Sequence, residues 1–215
     1  MVIFWPSTAA ASASVLEIGC GPLGGFVPAL LARGYAPVGI DPEAPEAPSY
    51  RRARFEDVDL AGPVDAVVAC TSLHHVADLD HVVDRIATTL VPGGTLVVVE
   101  WAWERFDEAT AQWCFARLAP ANPSTEPGWL CRHRERWTSS GQPWDGYFQT
   151  WAAEEGLHTG ARILDALDAR FERRYVANGP YFFCDLPDTT EVDEQAAIDA
   201  GKIQTTCLRY VAGRS

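Results

Sequence analysis

Lysine is almost absent: Lys202 stands alone among 215 residues, beside sixteen arginines. With 29 acidic residues against 17 basic ones, the formal net charge is −12. That balance argues against DNA or RNA as a partner, because binding them depends on neutralising phosphates with Lys and Arg. The skew toward arginine reads as a coding bias and not as a site. Paired cysteines are missing too. Cys20, Cys70, Cys114, Cys131, Cys184 and Cys207 are scattered, with no C-x-x-C and no histidine at metal-ligand spacing. Neither a zinc site nor a disulfide framework is expected, and isolated reduced thiols fit a cytoplasmic protein. No run approaches the ~20 apolar residues of a membrane span. The opening MVIFWPSTAAASAS lacks a basic segment and is interrupted by Pro6, so it is not read as a signal peptide. Internal repeats and low-complexity tracts are absent as well. What is plentiful is apolar: 47% of residues, including eight tryptophans. That is enough for one sizeable core, and one domain spanning 1–215 is the expectation.

The first hundred residues alternate strand and helix signals. Val15–Ile18 is a short apolar strand followed by a glycine turn. Phe26, Val27, Leu30 and Leu31 then share a helical face, with Pro28 near the first turn and Arg33-Gly34 at the end. Ala36–Ile40 is a second strand ending at Asp41, Arg52–Phe55 a short third, and Val64–Cys70 a fourth. Asp78 caps a helix whose Leu79, Val82, Val83, Ile86 and Leu90 form one stripe. Pro92-Gly93-Gly94 turns the chain into a fifth strand, Thr95–Glu100. Such alternation implies a parallel sheet with right-handed crossovers. The second crossover, DPEAPEAPSY, is the exception: prolines at 42, 45 and 48 forbid a regular helix, so a loop is expected. After Glu100 the character changes. Seven of the eight tryptophans fall between 101 and 151. Asp107–Leu118 and Trp144–Glu155 look helical, with breaks at Pro120–Pro123 and Ser139–Gly141. The strand pattern returns at Phe171–Val176, with Tyr181–Cys184 a candidate continuation, and closes at Thr205–Ala212.

The turn VLEIGCGPLGG satisfies G-x-G-x-x-G, which serves nicotinamide and S-adenosylmethionine proteins alike. Asp41, at the end of strand two, would hold ribose hydroxyls in either. Glu17 breaks the tie. A carboxylate at the mouth of strand one would face the phosphates of a dinucleotide, and like charges ~4 Å apart repel by ~4 kcal/mol at an effective dielectric of 20. No Lys or Arg precedes Arg33 to offset that. Toward a sulfonium and an ammonium group the same carboxylate is attractive. The alternative is an edge glutamate turned to solvent.

VLEIGCGPLGG, Asp41, FEDVD, TSLHHV and LVPGG-TLVVVE stand in an order and spacing that resembles the class I S-adenosylmethionine-dependent methyltransferases, over about residues 15–101. The resemblance implies an α/β Rossmann-like sheet of seven strands, order 3-2-1-4-5-7-6, with strand seven antiparallel and helices on both faces. The C-terminal TTCLRYVA would be strand seven. It implies S-adenosylmethionine as cofactor and S-adenosylhomocysteine as product. Glu17, Gly19, Cys20, Gly21 and Gly24 would surround the methionine part. Asp41 and Pro42 would meet the ribose, Glu56 and Asp57 the adenine, and Cys70, Thr71 and Ser72 the pocket wall. The cofactor half would span 15–101, an aromatic-rich helical insertion 102–165, and the last two strands 166–215. Only fourteen residues precede strand one, so closure over the cofactor is expected from the insertion.

Methyl transfer needs nucleophile, methyl and sulfur held in line, and a general base where the nucleophile carries a proton. His74 and His75 follow strand four on the ligand-binding edge, as a base or as loop packing. Glu100 ends strand five on that edge, to accept a proton or as a hydrogen-bonded strand-end carboxylate. Arg132, Arg134 and Arg136 with His133 form an anion grip or a solvated face. Trp101, Trp103, Trp137, Trp144 and Tyr147 are candidates to face an acceptor, or form the core of the cap. A Trp-rich surface suits a partner subunit as well as a ligand, so the chain is expected as monomer or homodimer. The leading function is methyl transfer to a small-molecule acceptor through O, N or C. The alternatives are a protein that binds S-adenosylmethionine without transferring methyl, as a regulator, and a nicotinamide oxidoreductase. Glu17 and the lack of a Tyr-x-x-x-Lys pair count against the last.

Overall fold

Val15, Leu16 and Ile18 are apolar toward both faces, and the strand they form, β1 (Ser14–Ile18), runs through the middle of a seven-stranded sheet. The computed structural model describes residues 13–119 and 127–214. The opening segment 1–12 and the break expected at Pro120–Pro123 lie outside the described residues. The other strands are β2 (Ala36–Ile40), β3 (Tyr50–Arg51), β4 (Val64–Cys70), β5 (Leu90–Trp101), β6 (Glu172–Gly179) and β7 (Cys207–Gly213). They order as β3-β2-β1-β4-β5-β7-β6. β1 pairs in parallel with β2 and β4, β4 with β5, and β7 runs antiparallel between β5 and β6. The expected α/β order is therefore present. So is the helix-free second crossover, where Pro42, Pro45 and Pro48 leave only turns and bends.

Helices α1 (Val27–Leu31), α2 (Leu79–Thr89), α3 (Glu108–Phe115), α4 (Trp129–Ser140), α5 (Trp144–Glu154), α6 (Gly160–Asp168) and α7 (Glu191–Asp199) follow the predicted punctuation where it was readable. Asp78 accepts the His81 N–H to cap α2, Asp107 caps α3, and Gly141 ends α4 at φ +65°. On one sheet face α2 and α6 press Val82, Val83, Ile86, Ile163 and Leu167 onto Leu16, Ile40, Val67, Leu96 and Val98. On the other, α1 covers Val15, Ala66, Val68 and Val97 with Leu30. A separate aromatic core joins α3, α4 and α5 through Phe115, Leu130, Trp144 and Phe148, and takes in Trp101, Phe106 and Phe182. No helix among the described residues is long and apolar enough to cross a membrane.

Three local expectations are corrected. The third strand is Tyr50–Arg51 and not Arg52–Phe55, because parallel pairing to β2 sets Gly39 opposite Tyr50 and Ile40 opposite Arg51. Phe55–Asp57 instead coils into a 3-10 turn that buries Phe55. Tyr181–Cys184 is not strand. The buried Glu194 carboxylate draws in the Tyr181 and Phe183 N–H groups (2.8 and 2.7 Å), and the chain makes a 3-10 turn at Phe182–Cys184. Leu31, predicted on the inner face of the first helix, is exposed; Val27 and Leu30 form the buried face of α1.

Candidate functional site

The carboxyl ends of β1, β2 and β4 open into a cavity of about 420 Å³. This is the edge where open parallel sheets bind ligands. Gly19, Gly21, Asp41, Pro42, Glu56, Thr71, Ser72 and His75 line it, with Ile18, Ile40, Phe55, Val76 and Val82 supplying apolar wall. Sequence reasoning missed Ala53, Arg54 and Phe55 on this wall. The only local signal was their place just before and within FEDVD.

The glycines do different things. At Gly21, φ is +61° and a Cβ built there meets nothing within 4 Å, so the side-chain position is open cavity. At Gly24 a Cβ would fall 2.3 Å from the Tyr50 hydroxyl, which donates to the Gly24 carbonyl at 3.2 Å. Gly24 is thus a packing glycine and does not line the cavity. Asp41 accepts the Glu43 N–H at 2.7 Å through Oδ1, which steadies the turn and leaves Oδ2 for a ligand.

Several expected contacts are elsewhere. Glu17 is not at the cavity. Its carboxylate is buried beneath the glycine turn, accepting Phe26 N–H at 2.9 and 2.8 Å and Val27 N–H at 3.1 Å. Those are orphan donors at the start of α1, so the carboxylate caps that helix. Burial pushes its pKa up, against the lowering effect of these bonds. The solvent-facing alternative fails as well. Cys20 turns its sulfur toward Gly39, where a Cβ would approach to 2.9 Å, and its thiol is pushed up to about 12 by burial and then by Glu17 and Asp41. Cys70 is half-buried at the end of β4, its thiol also raised to about 12 by burial and then Glu100. Asp57 is exposed outside the lining.

Of the proton-transfer candidates, one faces the cavity. His74 is buried with Nδ1 2.6 Å from Glu100 Oε2. Glu100 is fully buried and accepts the Ser72 and Leu73 N–H groups at 2.7 and 2.5 Å. Both are engaged within the protein, which corrects the expectation that either meets an acceptor. His75 lines the cavity, its ring 4.1 Å from that of His74. Partial desolvation, and then the neighbouring His74, hold its pKa below the ordinary histidine value. That direction favours the neutral imidazole, the form that accepts a proton.

The aromatic candidates pack on one another and not on this cavity. Trp144 is completely buried and donates Nε1–H to the Phe106 carbonyl at 2.6 Å. Trp103 donates to the His158 carbonyl, Trp137 to that of Gln142, and the Tyr147 hydroxyl meets His133 Nδ1 at 2.9 Å. Trp101 stacks on Tyr181 at 5.8 Å; its Nε1 is buried without a hydrogen-bond partner. They belong to an aromatic core in which Trp101 and Trp144 are buried and Trp103, Trp137 and Tyr147 partly exposed. Of the cationic strip, His133 is buried, its pKa lowered to about 4 by desolvation and then Arg136 and Arg132. No group of three or more His, Cys, Asp or Glu among the described residues is placed to hold a metal.

The sequence profile of a methyltransferase domain matches residues 4–158. A ubiquinone biosynthesis O-methyltransferase of Nitrobacter winogradskyi is 27% identical over 143 residues, 57% of this chain and 54% of that protein. The match thus spans about half the length of that curated relative. Among solved structures, an S-adenosylmethionine-dependent methyltransferase from Mesorhizobium loti superposes with a TM-score of 0.54 at 19% identity, over 94% of this chain and 91% of that one. Geranyl diphosphate C-methyltransferase from Streptomyces coelicolor A3(2) gives 0.55 at 16% identity, covering 97% and 75%. At these identities the structures share the fold.

Proposed function

The chain belongs to the methyltransferase-domain family, and we propose that it transfers the methyl group of S-adenosylmethionine to a small-molecule acceptor, leaving S-adenosylhomocysteine. The observation that carries this reading is the open side of Gly21 in the same cavity that Asp41 lines. A backbone bare of Cβ lets a ligand come close, and a carboxylate with one oxygen to spare suits ribose hydroxyls. When bound, the sulfonium supplies a methyl carbon already activated for displacement. The protein's own residues then bind and orient. Glu56, beside Phe55, would meet the adenine, Thr71 and Ser72 form the wall, and His75 would accept a proton from the acceptor. Glu17 caps α1 and does not reach the cavity, so it does not itself distinguish S-adenosylmethionine from a dinucleotide. The O-methyltransferase name of the curated relative supports a small acceptor, as does the net charge of −12. A cytoplasmic location accords with the scattered free thiols.

Thermal shift and calorimetry test the cofactor. S-adenosylmethionine and S-adenosylhomocysteine should raise Tm, while NAD and NADP should not. Asp41→Ala should weaken binding by ~1.5–3 kcal/mol, the worth of charge-assisted hydrogen bonds. Labelled methyl transfer into a metabolite pool tests the chemistry. Binding without transfer to any acceptor would assign the chain to the regulatory reading, and equal binding of NAD would overturn the cofactor.

A further inference from the structure

Thr71 carries a positive φ of +48°. A β-branched residue keeps that conformation only where its surroundings over-determine it. Its N–H is tied to the Val99 carbonyl at 2.7 Å, and the residues after it are held by one carboxylate. Glu100 Oε1 accepts Ser72 and Leu73 N–H, while Oε2 faces His74 Nδ1 and accepts the Trp101 N–H at 3.2 Å. Oxygens already facing three N–H donors act as acceptors, so His74 presents Nδ1–H.

The same segment is held from the opposite side. His158, between α5 and α6, donates its N–H to the His74 carbonyl at 3.0 Å. Its Nε2 lies 2.9 Å from the Val76 carbonyl, which can only accept, so that nitrogen is protonated. Trp103 Nε1–H in turn anchors the His158 carbonyl at 3.0 Å. Neither Glu100 nor His158 lines the cavity.

We propose that Glu100 and His158 are positioning residues that clamp segment 71–76, the cavity wall bearing Thr71, Ser72 and His75, one from the sheet and one from the helical insertion. The proposal rests on the reading of that cavity as the cofactor site. It makes the insertion a support behind the cofactor wall, although none of its described residues lines the cavity.

Isosteric replacement of each donor tests it. In His74→Asn the amide Nδ2–H takes the place of Nδ1–H, and in His158→Gln the amide Nε2–H takes the place of Nε2–H. Both should bind S-adenosylhomocysteine within about twofold of wild type. His74→Ala and His158→Ala remove the side-chain donors, the His158 backbone N–H being kept, and should bind about tenfold more weakly, the scale of one hydrogen bond. Glu100→Gln turns an amide N–H onto donors and should weaken binding at least as much. Hydrogen exchange at the Ser72 and Leu73 amides should stay protected in His74→Asn and speed up about tenfold in His74→Ala. Asparagine and glutamine variants as weak as the alanines would overturn the clamp, since the imidazoles themselves would then be required. So would wild-type affinity in every variant. If the wild type fails to bind S-adenosylhomocysteine, the cofactor reading falls, and the exchange pattern still decides the clamp.

Discussion

Gly21→Ala distinguishes a glycine that faces a ligand from those that face protein. A Cβ at Gly21 meets nothing within 4 Å, so the cost inside the folded chain is backbone strain at φ +61°, about 1–2 kcal/mol. Gly93 is the control. Its φ is +78°, a Cβ there also meets nothing within 4 Å, and it does not line the cavity. Both variants should therefore lower Tm alike, by about 2–4 °C per kcal/mol in a chain of this size. S-adenosylhomocysteine at 100 times its Kd stabilises the wild type by about 2.7 kcal/mol, a shift of roughly 5–11 °C on the same scale. Gly93→Ala should keep that ligand-induced shift and Gly21→Ala should lose most of it. Gly24→Ala belongs to a third class, since its Cβ would meet the Tyr50 hydroxyl at 2.3 Å and destabilise the protein before any ligand is added. Scanning fluorimetry with and without ligand reads all three. A full ligand shift in Gly21→Ala would show that no ligand approaches the backbone there, and the assignment of the cavity would fail.

His75→Ala should lower turnover by ~10²–10⁴-fold while leaving S-adenosylhomocysteine affinity little changed. Because desolvation and His74 lower the His75 pKa, the neutral base is lost only as pH falls below the ordinary histidine value of about 6.5. An acid limb of kcat/KM above that value, or unchanged turnover in the variant, would remove His75 from the chemistry. Trp144→Ala should cost ~3–5 kcal/mol in urea unfolding, as expected for a large ring lost from a core. Trp144→Phe should cost less, chiefly the bond to the Phe106 carbonyl. An acceptor KM that rises in Trp144→Phe with no loss of stability would return this ring to the acceptor site.

Patterns confined to a few neighbouring residues were legible in the sequence. Val64–Cys70 reads as a buried strand from its own composition, Asp78 as a cap from its place before an apolar stripe, and the three prolines of the second crossover as a bar to helix. Sheet order came with the family resemblance, because the motif spacing belongs to a shared fold. The candidate residues that do line the cavity are those whose backbone follows the end of a strand, such as Gly21, Asp41 and Thr71. Side-chain direction was decided by tertiary structure alone. Glu17 occupies the expected position, yet its carboxylate is drawn under the turn by Phe26 and Val27 N–H groups, nine and ten residues on. Glu100 is claimed by amides 28 and 27 residues earlier, and Gly24 is shaped by Tyr50, 26 residues later. The tryptophans of 101–151 announced themselves by composition, but whether they surround a ligand or each other depends on how helices pack. A buried polar group goes to whichever donor the fold brings within about 3 Å, and that donor has no fixed distance along the chain.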